Sequence, residues 1–414
     1  MIILGTRNDH PNPGEDACRQ WRQIFASLLA LAVLIPGTAS FGDDLKFIPK
    51  LEVRETYNDN IFLDSNNDPT TIDLYTTITP EVKLSDRTER LDTFIKGSLN
   101  IIRYRVNNDL DATDQDFNGY LRYRLNERWD MSAEARYTRD SQIDRDIETT
   151  GLVLGTAQRE RQHYAIQSNY SLTEKTSTNI SYAYQKEKFN NPNYVNSISQ
   201  GAGIGISYDL SSVSMLSSAR INLGYDNYIY DYMESNVNSF SGMAGISSQL
   251  SETISISLDA GYQYTLSTFQ PEDFTSNMEA QTINGFIGQV ALIYRGEAND
   301  ATFSAYNYIE PLSGTAGTTM RTSVRLDLHQ RITYKFRAGL SLEYFMNNAD
   351  LGQASMNYDQ GTWRVQPSLR YDITNDLFLD VTYRYTNLND HVTDLDSQQN
   401  MVYLRLIWQY PIPH

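Results

Sequence analysis

The end of the chain, Met401-Val402-Tyr403-Leu404-Arg405-Leu406-Ile407-Trp408-Gln409-Tyr410, restricts the fold more than any other stretch. Val402, Leu404, Leu406, Trp408 and Tyr410 alternate with Tyr403, Arg405, Ile407 and Gln409. Successive side chains of a β-strand point to opposite faces, so one face of this segment suits hydrocarbon and the other suits water. A buried sandwich strand shows the same alternation. Here, however, apolar residues and aromatics recur on one side of segment after segment, and no sequence remains for a second packed layer. The pattern predicts an all-β fold, a transmembrane antiparallel up-and-down β-barrel.

Mean hydropathy is −0.49, too polar for a bundle of membrane helices. A barrel needs apolar residues only at alternate positions, and the 29 tyrosines suit its interfacial belts. The net charge of −17 argues against nucleic acid as a partner, since no basic cluster offsets it. Arg19 and Arg22, the apolar run from Ile24 to Ile35, and Pro36-Gly37-Thr38-Ala39-Ser40-Phe41-Gly42 predict a secretory signal peptide over residues 1–42. Residues 43–414 then form the barrel. An N-terminal anchor is the alternative, but about a dozen apolar residues are short for a bilayer. The single cysteine, Cys18, precedes the apolar run and leaves the mature chain free of thiols.

Short polar turns are expected at Ser85-Asp86-Arg87, Asn126-Glu127-Arg128, Thr173-Glu174-Lys175, Ser251-Glu252, Gly296 to Asn299 and Thr374-Asn375-Asp376. Longer loops alternate with them, around Asn58 to Thr70, Asn107 to Thr113, Ile143 to Gly155, Gln270 to Asn277, Asn347 to Met356 and Asn387 to Asp396. Outer-membrane barrels keep short turns in the periplasm, which would place both termini there. The segments amount to about 18 strands, with 16 as the alternative, enough to enclose an aqueous channel. No connection longer than about 15 residues is evident, and none resembles an inward loop that narrows a bore. Either large inward side chains narrow the channel or it is wide and something else controls it, and the outer membrane of a Gram-negative bacterium is the expected location.

With the apolar face turned to lipid, Arg321, Arg325, Lys335, Arg337, Arg364, Arg370, Arg384 and Arg405 form a basic lumen wall. Arg54, Lys83, Arg122, Arg124 and Arg136 adjoin it once the barrel closes. Gly201, Gly203, Gly205, Ser207, Ser255, Ser257, Asp259 and Gln263 make an opposite wall that reads as smooth and nearly neutral. Unpaired, the arginines would favour anions; paired with Asp327, Glu343 and Asp372, they would only stabilise the wall. The alternation slips at Ile101-Ile102, so Arg103 and Arg105 fit either a bulge or a position on the rim.

No catalytic pattern is found, and neither an enzymatic activity nor a cofactor is expected. His163, His329, His391 and His414 match no metal-ligand or nucleophile spacing. His391 between Asp390 and Asp394 reads as a rim site or as a solvated loop histidine. Asn58-Asp59-Asn60 with Asp64 and Asp68 reads as an oxygen-ligand set or as a solvated loop.

Tyr57-Asn58-Asp59-Asn60-Ile61-Phe62 followed by Thr76-Thr77-Ile78-Thr79-Pro80 resembles the opening of a family of outer-membrane β-barrel porins encoded near exopolysaccharide assembly and exosortase genes. Trp408 and Tyr410 resemble the paired aromatics of the signal read by the barrel assembly machinery. Pro411-Ile412-Pro413-His414 departs from that signal, and pairing should stop at Tyr410 because proline cannot donate to a ladder. The resemblance implies export of an exopolysaccharide through the lumen, outer-membrane lipid around the wall, and a periplasmic polysaccharide-export protein as partner. A passive porin for small anions or sugars needs the same fold.

Overall fold

The computed structural model describes residues 45–141, 157–211, 217–231, 235–269, 279–314, 317–349 and 358–409. The leader expected over residues 1–42 and Tyr410 lie outside them. Eighteen strands form: β1 Lys46–Asn58, β2 Asp73–Arg87, β3 Leu91–Tyr104, β4 Ala112–Asn126, β5 Trp129–Asp140, β6 Arg159–Ser171, β7 Thr176–Phe189, β8 Ser197–Asp209 and β9 Ser217–Tyr230. They continue as β10 Asn236–Gln249, β11 Ile254–Phe269, β12 Glu279–Arg295, β13 Asn299–Pro311, β14 Thr318–Arg331, β15 Phe336–Ala349, β16 Tyr358–Asp372, β17 Leu377–Asp390 and β18 Leu395–Gln409. Each pairs antiparallel with its neighbours in sequence, and β1 with β18 closes the sheet through Lys50 to Asn58 against Gln409 to Met401.

The β1–β18 pairing closes the sheet, and the outer surface is apolar. Val402, Leu404, Leu406 and Trp408 are 42–47% exposed, whereas Tyr403 and Ile407 on the inner face are buried. Apolar side chains stand outward in the same way on the other strands, among them Ile204, Ile206, Ile221, Leu223, Leu369 and Val381. Backbone groups in hydrocarbon must all be satisfied within the protein, which a closed barrel achieves. The chain is an 18-stranded barrel of the Gram-negative outer membrane.

Four of the short turns share a device. In each of Thr173, Ser251, Thr333 and Thr374 the hydroxyl accepts from the backbone N–H groups two and three residues on, at 3.0–3.3 Å. Leu172, Leu250, Ile332 and Ile373 precede them, so the signal is an apolar residue followed by Ser or Thr. The N-terminal end of β1 and the C-terminal end of β18 lie at this end of the barrel, where Lys46 pairs with Ser85 and Gln409 donates to Asp376 O.

The opposite end differs from the expectation. The loop predicted over Asn387 to Asp396 contracts to residues 391–394 because β17 and β18 pair up to Asp390 and Leu395. His391 stands in that turn, its N–H donating to Asp359 O at 2.8 Å. The loop expected around Ile143 to Gly155 lies outside the described residues. Arg103 and Arg105 point outward at the rim, paired with Asp111 at 3.6 Å and Glu55 at 3.7 Å. The β2–β3 register passes Ile101 and Ile102 without a bulge. Ile102 breaks the alternation because it packs inside the lumen on Tyr75, Met401 and Tyr403.

Candidate functional site

The lumen is narrowed from two sides, which corrects the expectation of a bore without inward segments. The first obstruction is the β13–β14 hairpin. β12 and β13 pair only from Gly288 and Asn307 down to Arg295 and Asp300. Above that point β13 leaves the wall and leans inward, where Gln263 of β11 takes over the strand's backbone groups. Gln263 Nε2 donates to Ile309 O at 3.0 Å, and Ile309 N donates to Gln263 Oε1 at 3.4 Å.

The hairpin tip reaches inner-face residues of β6, β7 and β9, up to seven strands away around the wall. Ser313 Oγ donates to Glu187 Oε1 at 2.8 Å, Tyr230 OH donates to Gly317 O at 2.7 Å, and Val195 N donates to Gly314 O at 2.9 Å. Gly314 at φ 71° and Gly317 at φ 139° occupy backbone conformations that a side chain would strain, and so make the tip compact. Beneath it, Arg159 lies 3.2 Å from Asp140 and 3.4 Å from Glu187, while Arg161 lies 2.8 Å from Glu187. The side chains of Arg159, Asp140 and Glu187 are at most 6% exposed. Removing one partner of a buried ion pair leaves the other charge uncompensated, at about 3–5 kcal/mol. Glu187→Ala is therefore expected to destabilise the folded barrel by about that amount in urea titrations, and wild-type stability would show that the tip does not depend on it.

The second obstruction is the β1–β2 connection, built by the Tyr57 to Phe62 motif. Asn60 Nδ2 donates to Asp64 O at 2.9 Å and to Gln398 O at 3.0 Å, and Asn60 Oδ1 accepts from Asp64 N at 2.9 Å. Asp59 accepts from Asn400 N at 2.6 Å and Asn400 Nδ2 at 2.7 Å, and Gln399 Nε2 donates to Asn60 O at 2.7 Å. The motif clasps the loop to β18 across the closing seam. Asn58 and Asn60 are buried, so the segment is not the solvated loop that its composition suggested. Leu63, held at φ 54°, inserts between the inward-facing Phe345 and Leu388. A branched side chain at positive φ is strained, and its burial offsets that cost.

Of the eight cations predicted to form a basic wall, seven are on the inner face. Lys335 is instead half-buried in the turn between β14 and β15, its N–H donating to the Thr333 hydroxyl one residue before β15 begins. Most of the others sit beside carboxylates. Arg325 lies 2.7 Å from Asp327, Arg337 2.8 Å from Asp372, Arg364 3.4 Å from Glu343, Arg370 3.2 Å from Asp372, and Arg405 2.8 Å from Asp380. Arg384 donates to Gln366 at 2.8 Å and lies over the Tyr403 ring, and buried Arg321 lies over Phe345. On the adjoining N-terminal strands Arg122 is 3.3 Å from Asp130, and Arg136 is 2.6 Å from Asp116. Much of the inner surface is a mosaic of ion pairs, whereas Arg54 and Lys83 lie over the Tyr403 and Phe94 rings.

Nor is the opposite wall smooth. A Cβ on Gly201 or Gly205 would collide with Asp226 or with Asn179 and Asn222, whose side chains lie over the β8 glycines. Gln263 and Ser239, on the same arc, are covered by the hairpin. Open space remains at both ends. A cavity of about 470 Å³ near the long loops is lined by Asn58, Ile61, Tyr75, Tyr104, Gln158 and Asn190. Another of about 930 Å³ near the short turns is lined by Arg331, Arg337, Arg370, Asp380 and Arg405. Glu187, Tyr230 and Ser313 were missed because nothing local distinguishes them from other lumen residues, and Gln263 was read only as part of the smooth wall. The one hint was a pair of glycines, Gly314 and Gly317, close together between two alternating segments.

No family model matches the chain, and no curated protein matches it. Among solved structures it is similar to OpdK of Pseudomonas aeruginosa with vanillate, at TM-score 0.47 and 7% identity over 90% of this chain and 100% of that one. It is also similar to the outer membrane channel DcaP of Acinetobacter baumannii, at TM-score 0.46 and 11% identity over 89% of this chain and 97% of that one. The alcaligin outer-membrane receptor FauA of Bordetella pertussis gives TM-score 0.44 and 10% identity over 88% of this chain and 76% of that one. These likenesses extend to barrel architecture and say nothing of cargo.

Proposed function

We propose that the barrel is an outer-membrane channel for small polar solutes, with its bore set by the two inward segments. The observation that carries this reading is the β13–β14 hairpin, which leaves the wall and is fastened to Glu187, Tyr230 and Gln263. A polymer moving through would have to break those bonds, and several of them are buried. The polar, charge-paired inner face suits hydrated solutes that must enter and leave without tight binding.

Export of an exopolysaccharide rests on the resemblance at Tyr57 to Phe62, and the two inward segments narrow the bore that would have suited it. Swelling of proteoliposomes in sugars of graded size is the direct test. Mono- and disaccharides are expected to enter, longer oligosaccharides to be excluded, and deletion of the gene to leave secreted polysaccharide unchanged. Polymer trapped inside deletion cells that grow normally on small sugars would instead favour the exporter.

A further inference from the structure

The outward face of β3–β7 carries a cationic arc at one height. Arg103 lies twelve residues up β3 from Leu91, Lys188 twelve up β7 from Thr176, and Arg139 and Lys186 ten up their own strands. Arg105 continues the arc just beyond β3. At about 3.3 Å per residue and a tilt of about 40°, these positions lie roughly 25–30 Å above the short turns, at the upper edge of an apolar band about 25 Å tall. Tyr137, Tyr164 and Tyr184 stand directly below on the same face. Glu55, Asp111 and Glu160 are interspersed. Even so, the side chains of Arg103 and Arg105 remain 55% and 62% exposed, and Lys188 is exposed.

Elsewhere around the barrel the same height carries neutral amides, among them Asn227, Asn238, Asn284, Asn387 and Asn400. Among the described residues, no lysine or arginine faces outward at this height on any strand but β3, β5 and β7. A barrel surface with no ligand to hold would gain nothing from confining its rim cations to one arc.

We propose that this arc binds the phosphate groups of a phosphorylated glycolipid of the outer leaflet. The guanidinium groups take phosphate oxygens directly, and the interspersed carboxylates fit divalent cations that bridge to further phosphates. The acyl chains then lie on the apolar face below. The inference rests on the long loops facing the cell exterior, and it does not depend on the solute channel.

The experiment is native mass spectrometry of the purified barrel in detergent, titrated with bis-phosphorylated lipid A, its dephosphorylated form, phosphatidylglycerol or inorganic phosphate. Bis-phosphorylated lipid A is expected to bind at least tenfold more tightly than the other three. Arg103→Gln, Arg105→Gln, Lys186→Gln and Lys188→Gln together are expected to weaken it at least tenfold, since each near-surface cation contributes to anionic lipid binding. Arg325→Gln on the inner face should leave it unchanged. All variants are checked for the mobility shift of a folded barrel on boiling. Equal binding by the quadruple variant, equal binding of dephosphorylated lipid or phosphatidylglycerol, or displacement by inorganic phosphate overturns the proposal. So does failure of a membrane-impermeant maleimide to label Asn67→Cys on whole cells, which separates a wrong orientation from a failed channel reading.

Discussion

Excising Glu310–Thr319 and joining Ile309 to Met320 through Asn-Gly is expected to raise single-channel conductance severalfold and admit oligosaccharides that the wild type excludes. Ile309 and Met320 are paired, so a two-residue type I′ turn can close the shortened hairpin. The excision removes Ser313 and Gly317, the contacts that fasten the tip to Glu187 and Tyr230. The lower pairs of β13 with β12, from Asn307 to Asp300, are left intact, so the barrel should still close. Planar bilayer recordings and liposome swelling read the outcome. Unchanged conductance from a variant that still shifts on boiling would mean that the hairpin does not set the bore.

Changing Arg325, Arg364 and Arg370 together to Ser is expected to turn a weakly selective channel into a clearly cation-selective one. Glu343 and Asp327 lose the guanidinium groups that lie 3.4 Å and 2.7 Å away, and Asp372 keeps only Arg337. The newly exposed charge acts on ions within a Debye length, about 10 Å at 0.1 M salt and about 3 Å at 1 M. The shift in reversal potential should therefore be several times larger at the lower salt. A wild type with strong anion preference, reduced but not inverted by the changes, would show that the cations act as the sequence first suggested.

What the sequence by itself determined is everything that alternation encodes. Side chains in a strand have a period of two, so Val402 to Trp408 reveal their lipid face from local composition, and the same holds at Leu369 and Val381. Turn chemistry is equally local: Thr173, Thr333 and Thr374 cap their own backbones within three residues. Strand number, inner and outer faces and the apolar belt follow from these two signals.

The constriction was decided by tertiary structure alone. Residues 308–314 and 317–319 keep the same alternation whether they stay in the wall or leave it, and their direction depends on Gln263, Tyr230 and Glu187, which lie 46, 87 and 126 residues away from the groups they bind. The charge of the lumen is another case, because Arg364 meets Glu343 only through the β15–β16 register. Most unexpected is Tyr57 to Phe62, whose polar letters suggested solvent. Only when the barrel closes does β18 come beside β1, and then Gln398, Gln399 and Asn400 engage Asp59 and Asn60 so that the segment folds inward.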